Sequence, residues 1–316
     1  MGNDLQNTLN AKIITDKLAE NIGKAIVGKN EVVKMVIAAF IAGGHILLED
    51  VPGVGKTLLA KSIAKSINAS FRRIQFTSDL LPSDITGVSI YNQKKLEFEY
   101  IEGPIFANIV LADEINRGTP RTQSSLLEAM EERQVSVDGI ARQLPNPFFV
   151  IGTQNPIESH GTFPLPDSQV DRFMISISVG YPSADYEAEM LARHSKDKYL
   201  VSNVETVLSL EELIELQKMV YKVEASNEIL QYIVKIASAT RDNTDIMLGA
   251  SPRSSVAMLT CAKAYALMNS RNYVIPDDIK AVAPYILAHR ILTYRASSRK
   301  QVLELISNIM KKISPN

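Results

Sequence analysis

A parallel-sheet α/β domain followed by an all-helical domain is the fold that this sequence of 316 residues predicts, on three observations. Short apolar runs of strand length alternate with helical patterns through the first part of the chain, as in a sheet covered on both faces. One such run passes through a glycine-rich turn, VPGVGKT at 51 to 57, straight into a helix. After Tyr181-Pro182 the strand-like runs cease and helical spacing dominates.

Taken in order, Leu9, Ile13, Ile14, Leu18 and Ile22 recur at helical spacing, as do Val32, Val33, Val36, Ile37, Phe40 and Ile41. Two amphipathic helices therefore open the chain. HILLE (45 to 49) reads as a buried strand, and helical character resumes at Leu58, Leu59, Ile63 and Ile67. Further strands are expected at Phe71 to Phe76, Ile109 to Ala112, Phe148 to Gly152 and Met174 to Val179, with a helix over Thr122 to Glu132. VSIYNQKKLEFEYI (88 to 101) and QVSVDGIARQL (134 to 144) each divide into two short strands about a polar or Asp-Gly turn, predicting two hairpin insertions. Beyond Ser183, helices are expected near 184 to 195, 209 to 221, 227 to 241, 252 to 269 and 277 to 289. The domain boundary falls at 182, giving an α/β domain over 1–182 and a helical one over 183–316.

Composition narrows the function classes. Thirty-four Lys plus Arg against 35 Asp plus Glu leaves a net charge of -1, with no global positive field to gather nucleic acid. The absence of Trp argues the same way, because base-stacking surfaces use aromatic rings. Lys94 and Lys95 are the residues that could line a basic pore in an assembly. A single cysteine, Cys261, excludes an internal disulfide, and its Ala-rich helical setting marks it as core rather than nucleophile. His45 and His160 have no metal-ligand spacing with a Cys or a second His. With neither a leader nor an apolar run of about 18 residues, a cytoplasmic protein without a membrane span is expected.

The strand, loop and helix around VPGVGKT give a phosphate-loop match its structural context. Asp50, Val51, Pro52, Gly53, Val54, Gly55, Lys56, Thr57 and Leu58 make up the candidate nucleotide loop. Gly53 and Gly55 let backbone N–H groups turn toward phosphate oxygens, Lys56 reaches the β and γ phosphates, and Thr57 sets its hydroxyl on Mg²⁺. The following helix points its positive end at the anion. Position 50 would be glycine in the general pattern; Asp50 tolerates the backbone, provided that its carboxylate turns away from phosphate.

Downstream, NIVLADE (108 to 114) is an apolar strand ending in two acids at the sheet edge where ligands of open α/β folds bind. Asp113 is suited to hold Mg²⁺ through water, and Glu114 to orient and deprotonate an attacking water. FFVIGTQNP (148 to 156) ends in polar residues at the same edge, with Asn155 in reach of the γ phosphate and that water.

These residues together resemble the MoxR family of AAA+ ATPases. The resemblance rests on IVGK (26 to 29), LLEDVPGVGKT (47 to 57), RIQFTSDLLPSDITG (73 to 87), GPIFANIVLADEINR (103 to 117), TQSSLLEAMEERQVSVDG (122 to 139), GTQNPIESHGTFPLPDSQVDRF (152 to 173) and GASPRSS (249 to 255). It implies a P-loop AAA+ core in which the two hairpins are the helix-2 and pre-sensor-1 inserts, and a helical C-terminal lid. Val27 and Gly28 would flank adenine.

Arg172 resembles the family's arginine finger, supplied to a neighbouring subunit's ATP; the plainer alternative is an ion pair with Asp167 or Asp171. Arg253 follows Ser251, a good N-cap, and Pro252 at the first helical position, so it projects from a first helical turn. A cation there opposes the helix dipole and suggests an anion to bind, which resembles sensor 2 on the γ phosphate. A surface salt bridge is the competing account. Arg117 and Arg121 could face a neighbour or be ordinary solvated charges.

The resemblance thus implies a Mg²⁺-dependent ATPase acting as a homo-oligomeric ring, a hexamer, in chaperone-like remodelling or maturation of a client protein. A partner with a von Willebrand factor A domain often accompanies such a motor. The alternatives are a magnesium-chelatase-like motor subunit and an ATP-dependent assembly switch with little turnover.

Overall fold

The protein is described from a computed structural model covering residues 2–156, 161–196, 203–295 and 298–314. Helices α1 (Gly2–Gly23) and α2 (Asn30–Ile41) form as the apolar spacing predicts. Leu18, Ile22 and the apolar stripe of α2 are buried, whereas Leu9 and Ile13, on the same expected face, are exposed.

Strand β1 (Ile46–Glu49) leads through the glycine-rich loop into α3 (Lys56–Ser66), followed by β2 (Phe71–Gln75) and a short α4 (Pro82–Thr86). The first hairpin is β3 (Gly87–Asn92) and β4 (Glu97–Glu102). Then come β5 (Ile109–Asp113), a 3-10 turn over Ile115–Arg117, α5 (Pro120–Glu132) and the second hairpin, β6 (Gln134–Val137) and β7 (Ile140–Gln143). Strand β8 (Phe149–Gln154), α6 (Asp167–Val170) and β9 (Ile175–Ile177) complete the α/β part.

Five of these strands form one parallel sheet in the order β2-β5-β8-β1-β9. Strand β5 is buried along its whole length, which is why it reads as an unbroken apolar run rather than an alternation. All five C-terminal ends therefore open on one edge and all five N-terminal ends on the other. Helix α5 starts beside the C-terminal ends and runs back across the sheet; its 13 residues cover about 20 Å.

The remaining helices are α7 (Ala184–Lys196), α8 (Leu210–Lys222), α9 (Asn227–Arg241), α10 (Pro252–Met268), α11 (Pro276–Leu287) and α12 (Arg299–Lys311). Two features depart from the expected all-helical texture. Strands β10 (Ile246–Leu248) and β11 (Leu292–Thr293) pair antiparallel, being too short to establish a period of two in sequence. Helix α12 is additional to the helices expected, although Val302, Ile306 and Ile309 stand at i, i+4 and i+7 and are buried together.

One apolar cluster joins α1, α2, α3 and one face of the sheet to the C-terminal helices; a second lies under α5 on the other face. Cys261 belongs to the first cluster, and burial pushes its thiol up to about 12, far from a nucleophile. His45 is buried between Met130 O (3.1 Å) and the Val150 N–H (3.0 Å), where burial and the neighbouring Arg133 hold it down to about 3. It is a neutral core histidine. His160 lies outside the described residues.

Candidate active site

At the end of β1 the chain turns through 50 to 55 and enters α3 at Lys56. Gly53 (φ 88°) and Gly55 (φ 92°) adopt the left-handed conformations that L side chains avoid, and Gly55 is the N-cap of α3. The free N–H groups of that helix start thus face the loop, with Thr57 in its first turn. Lys56 Nζ donates to the Asp50 carbonyl at 2.9 Å. Backbone donors, a helix N-terminus and an ammonium converging on one loop suit a polyphosphate.

Asp50 contributes only its backbone to this loop. Its buried carboxylate turns away and accepts from Ser178 Oγ (2.7 Å), the Val179 N–H (2.6 Å) and the Gly180 N–H (3.1 Å). Turned away as the loop requires, the side chain ties the segment after β9 to the base of the loop.

The acid pair sits at the end of β5, two strands from β1. Asp113 accepts from Thr153 Oγ at 2.6 Å and from Arg73 Nη2 at 2.6 Å. Glu114 stands at φ 55°, a strained conformation held by its N–H bond to the same Thr153 hydroxyl at 2.9 Å. Its carboxylate accepts from Gln75 Nε2 at 2.9 Å and pairs with Arg117 Nε at 3.1 Å. Arg117 is therefore neither a purely solvated charge nor simply turned to a neighbour: within the chain it pairs with Glu114. Asn155 follows Gln154, the last residue of β8, at this same edge.

Thr153, Gln75 and Arg73 organise this site and are absent from the sequence-based list. Gln75 and Asp113 pair across β2 and β5, a register that no local motif discloses. Thr153 lies within the polar strand end GTQNP, which was the available signal.

Val27 and Gly28 lie between α1 and α2. Gly28 has φ +72°, and a Cβ there would come within 2.4 Å of the Tyr186 ring of α7. The first helix after the sheet thus packs directly onto the segment expected to flank adenine.

Arg172 and Arg253 lie elsewhere. Both pair with Glu131, near the C-terminus of α5: Arg253 Nη2 at 2.7 Å and Arg172 Nη2 at 3.2 Å. Around them lie Gly43, Gly44 and His45, just before β1, and Met174, just before β9. The cluster is thus at the N-terminal ends of the strands, and β8, six residues long, spans about 20 Å between the two edges. Neither Asp167 nor Asp171 is the close partner of Arg172; the buried Arg290 takes Asp171 at 2.5 Å. Arg290 also donates to Phe173 O, Met174 O and Ile286 O, pinning α11 to the start of β9. Arg253 therefore does not face the phosphate loop of its own chain, as a sensor on its own γ phosphate would.

Residues 45–175 match the ATPase family associated with various cellular activities (AAA), and residues 238–309 match the AAA lid domain. The YeaC protein of Bacillus subtilis is 53% identical over 88% of this chain and 87% of its own. Chaperone MoxR1 of Mycobacterium tuberculosis is 40% identical over 91% of this chain and 78% of its own. The crystal structure of a candidate ATPase from Cytophaga hutchinsonii superposes with a TM-score of 0.87 at 39% identity, covering 96% of both chains.

Proposed function

The chain belongs to the MoxR family of AAA+ ATPases, and from that premise we propose that it hydrolyses ATP at sites shared between adjacent copies in a ring. One observation carries this reading: the phosphate loop and acid pair occupy the opposite sheet edge from Arg172 and Arg253. With about 20 Å of sheet between them, these arginines are out of reach of their own chain's phosphate loop, which favours their serving a second copy.

In this reading Val27 and Gly28 receive the adenine, and the backbone from Val51 to Gly55 cradles the phosphates. Lys56 exchanges the Asp50 carbonyl for the β and γ phosphates. Thr57 and, through water, Asp113 would hold Mg²⁺, which neutralises phosphate charge and orients the leaving group. Glu114 positions the attacking water and takes its proton, with Asn155 beside it. The contacts of Gln75 and Arg117 aim that carboxylate. The neighbour's Arg172 and Arg253 then neutralise charge on the transferring phosphoryl group. Arg253 keeps its expected partner, the γ phosphate, but in this reading that phosphate belongs to a neighbouring copy.

The chaperone name of the mycobacterial relative supports coupling of hydrolysis to remodelling of a client protein. The two hairpins offer apolar contact surface, with Val88, Ile90, Tyr91, Phe98, Ile101 and Ile140 exposed. A hexameric ring is the expected assembly.

The test is Mg²⁺-ATP hydrolysis per subunit across a dilution series, with molar mass followed in parallel. The rate per subunit should fall as the ring dissociates. Hydrolysis that persists unchanged in monomers would end the shared-site reading.

A further inference from the structure

Glu49, the last residue of β1, carries a charge immediately before the phosphate loop. Its carboxylate accepts from Gln154 Nε2 at 2.7 Å, from the Ser176 hydroxyl and from Arg299 Nη1. Arg299 also donates to Ser176 Oγ and to Ser176 O, each at 2.7 Å. One guanidinium from α12 therefore grips the ends of β1 and β9. The same carboxylate reaches β8 at Gln154, paired in register with Glu49 and adjacent to Asn155.

Two features set this arginine apart from an incidental surface pair. Arg299 is the first residue of α12, directly after its N-cap Ser298, where a cation opposes the helix dipole. Its side chain is only 26% exposed and that of Glu49 19%, so solvent screens the pair less than an open one. Electrostatics supply the second argument. The next residue, Asp50, presents the carbonyl that holds Lys56, so an unpaired Glu49 carboxylate would repel any triphosphate bound there.

We propose that Arg299 is a positioning residue for the nucleotide loop of its own subunit. It acts on the loop by cancelling the charge of Glu49, which it reaches through its contacts with β1 and β9. The C-terminal helices then address two sites: their own through Arg299 and a neighbour's through Arg253. This inference rests on the nucleotide reading above.

Equilibrium binding of mant-ATP with Mg²⁺ tests it, using the wild type, Arg299→Ala, Glu49→Gln and the double variant. Arg299→Ala should weaken binding about tenfold by exposing the Glu49 charge. Glu49→Gln alone should bind as tightly as the wild type or more tightly. The double variant should return to within about twofold of the wild type, because the repelling charge is gone. A purely structural tie predicts the reverse: no rescue, since the double variant still lacks the pair. Loss of affinity in Glu49→Gln, or a double variant no better than Arg299→Ala, would overturn the proposal. Should Arg299→Ala not fold, Glu49→Gln still decides by the direction of its effect. A wild type that binds no mant-ATP sinks the nucleotide reading and this inference together. Normal wild-type binding, unaltered in Arg299→Ala, sinks this inference alone.

Discussion

The two edges of the five-stranded sheet bear opposite chemistry. Where the strands end, a glycine-rich loop, Lys56 and two carboxylates converge, each carboxylate already matched by an arginine of its own region: Arg73 on Asp113, Arg117 on Glu114. Where the strands begin, Arg172 and Arg253 share the carboxylate of Glu131, and Arg253 Nε also lies 4.0 Å from Asp171. The first edge suits a polyphosphate, and the second carries arginines. In the proposed reading this difference makes one chain the bearer of two complementary half-sites, and the distance between them, rather than any single residue, is the argument for assembly.

The comparison is broken most sharply by mixing half-sites. Lys56→Ala should abolish nucleotide binding, and Arg172→Ala should keep binding but lose about 10³ to 10⁵ in rate. Mixed, the two variants should regain hydrolysis at interfaces joining an intact loop to an intact Arg172; no recovery would remove the trans assignment. Next in size, Glu114→Gln should retain ATP binding while turnover falls about 10² to 10⁴-fold. Single-turnover measurement with an unchanged rate would exclude Glu114 as the base.

Smaller effects sharpen the contrast. Asp50→Ala should cost about 1 to 3 kcal/mol of stability by leaving the donors of Ser178, Val179 and Gly180 unmatched, as read by denaturant unfolding. Glu131→Gln should leave mant-ATP affinity intact and lower the rate by no more than about fivefold, since partly exposed ion pairs contribute little. A loss of nucleotide affinity in that variant would tie the second edge to the chain's own loop.

Acid stability probes the strand-start edge. Burial, then the charges of Arg133 and Arg290 respectively, hold His45 and His289, whose Nε2 lies 3.0 Å from Phe173 O before β9, below the ordinary value of 6.5, His45 to about 3. The unfolded chain binds protons that the folded chain refuses, so stability falls as pH drops below 6.5 toward 3. The slope is about 1.4 kcal/mol per pH unit for each histidine. Thermal unfolding between about pH 7.5 and pH 5 should follow this, with the melting temperature falling on acidification.

Much of this molecule is legible in short windows. The five sheet strands, both hairpins and the phosphate loop arise from apolar runs, turn residues and glycines within a dozen positions, because backbone conformation answers to local sterics and local burial. Helix α12 and the β10-β11 pair fall outside that reading for different reasons. The apolar stripe of α12 is present but follows a polar stretch, whereas β10 and β11 are too short to carry a period.

By itself the sequence determined the candidate residues: Lys56, Thr57, Asp113, Glu114, Asn155, Arg172 and Arg253 are named by motif and family resemblance. Only the tertiary structure decided who meets whom. Asp50 turns to the segment after β9, Arg172 and Arg253 to Glu131, and Arg299 to a glutamate 250 positions away. Charged side chains pair by proximity in space, and strand order β2-β5-β8-β1-β9, with helices running back across it, sets that proximity. Long-range packing fixes such partners, so no local pattern of residues can announce them.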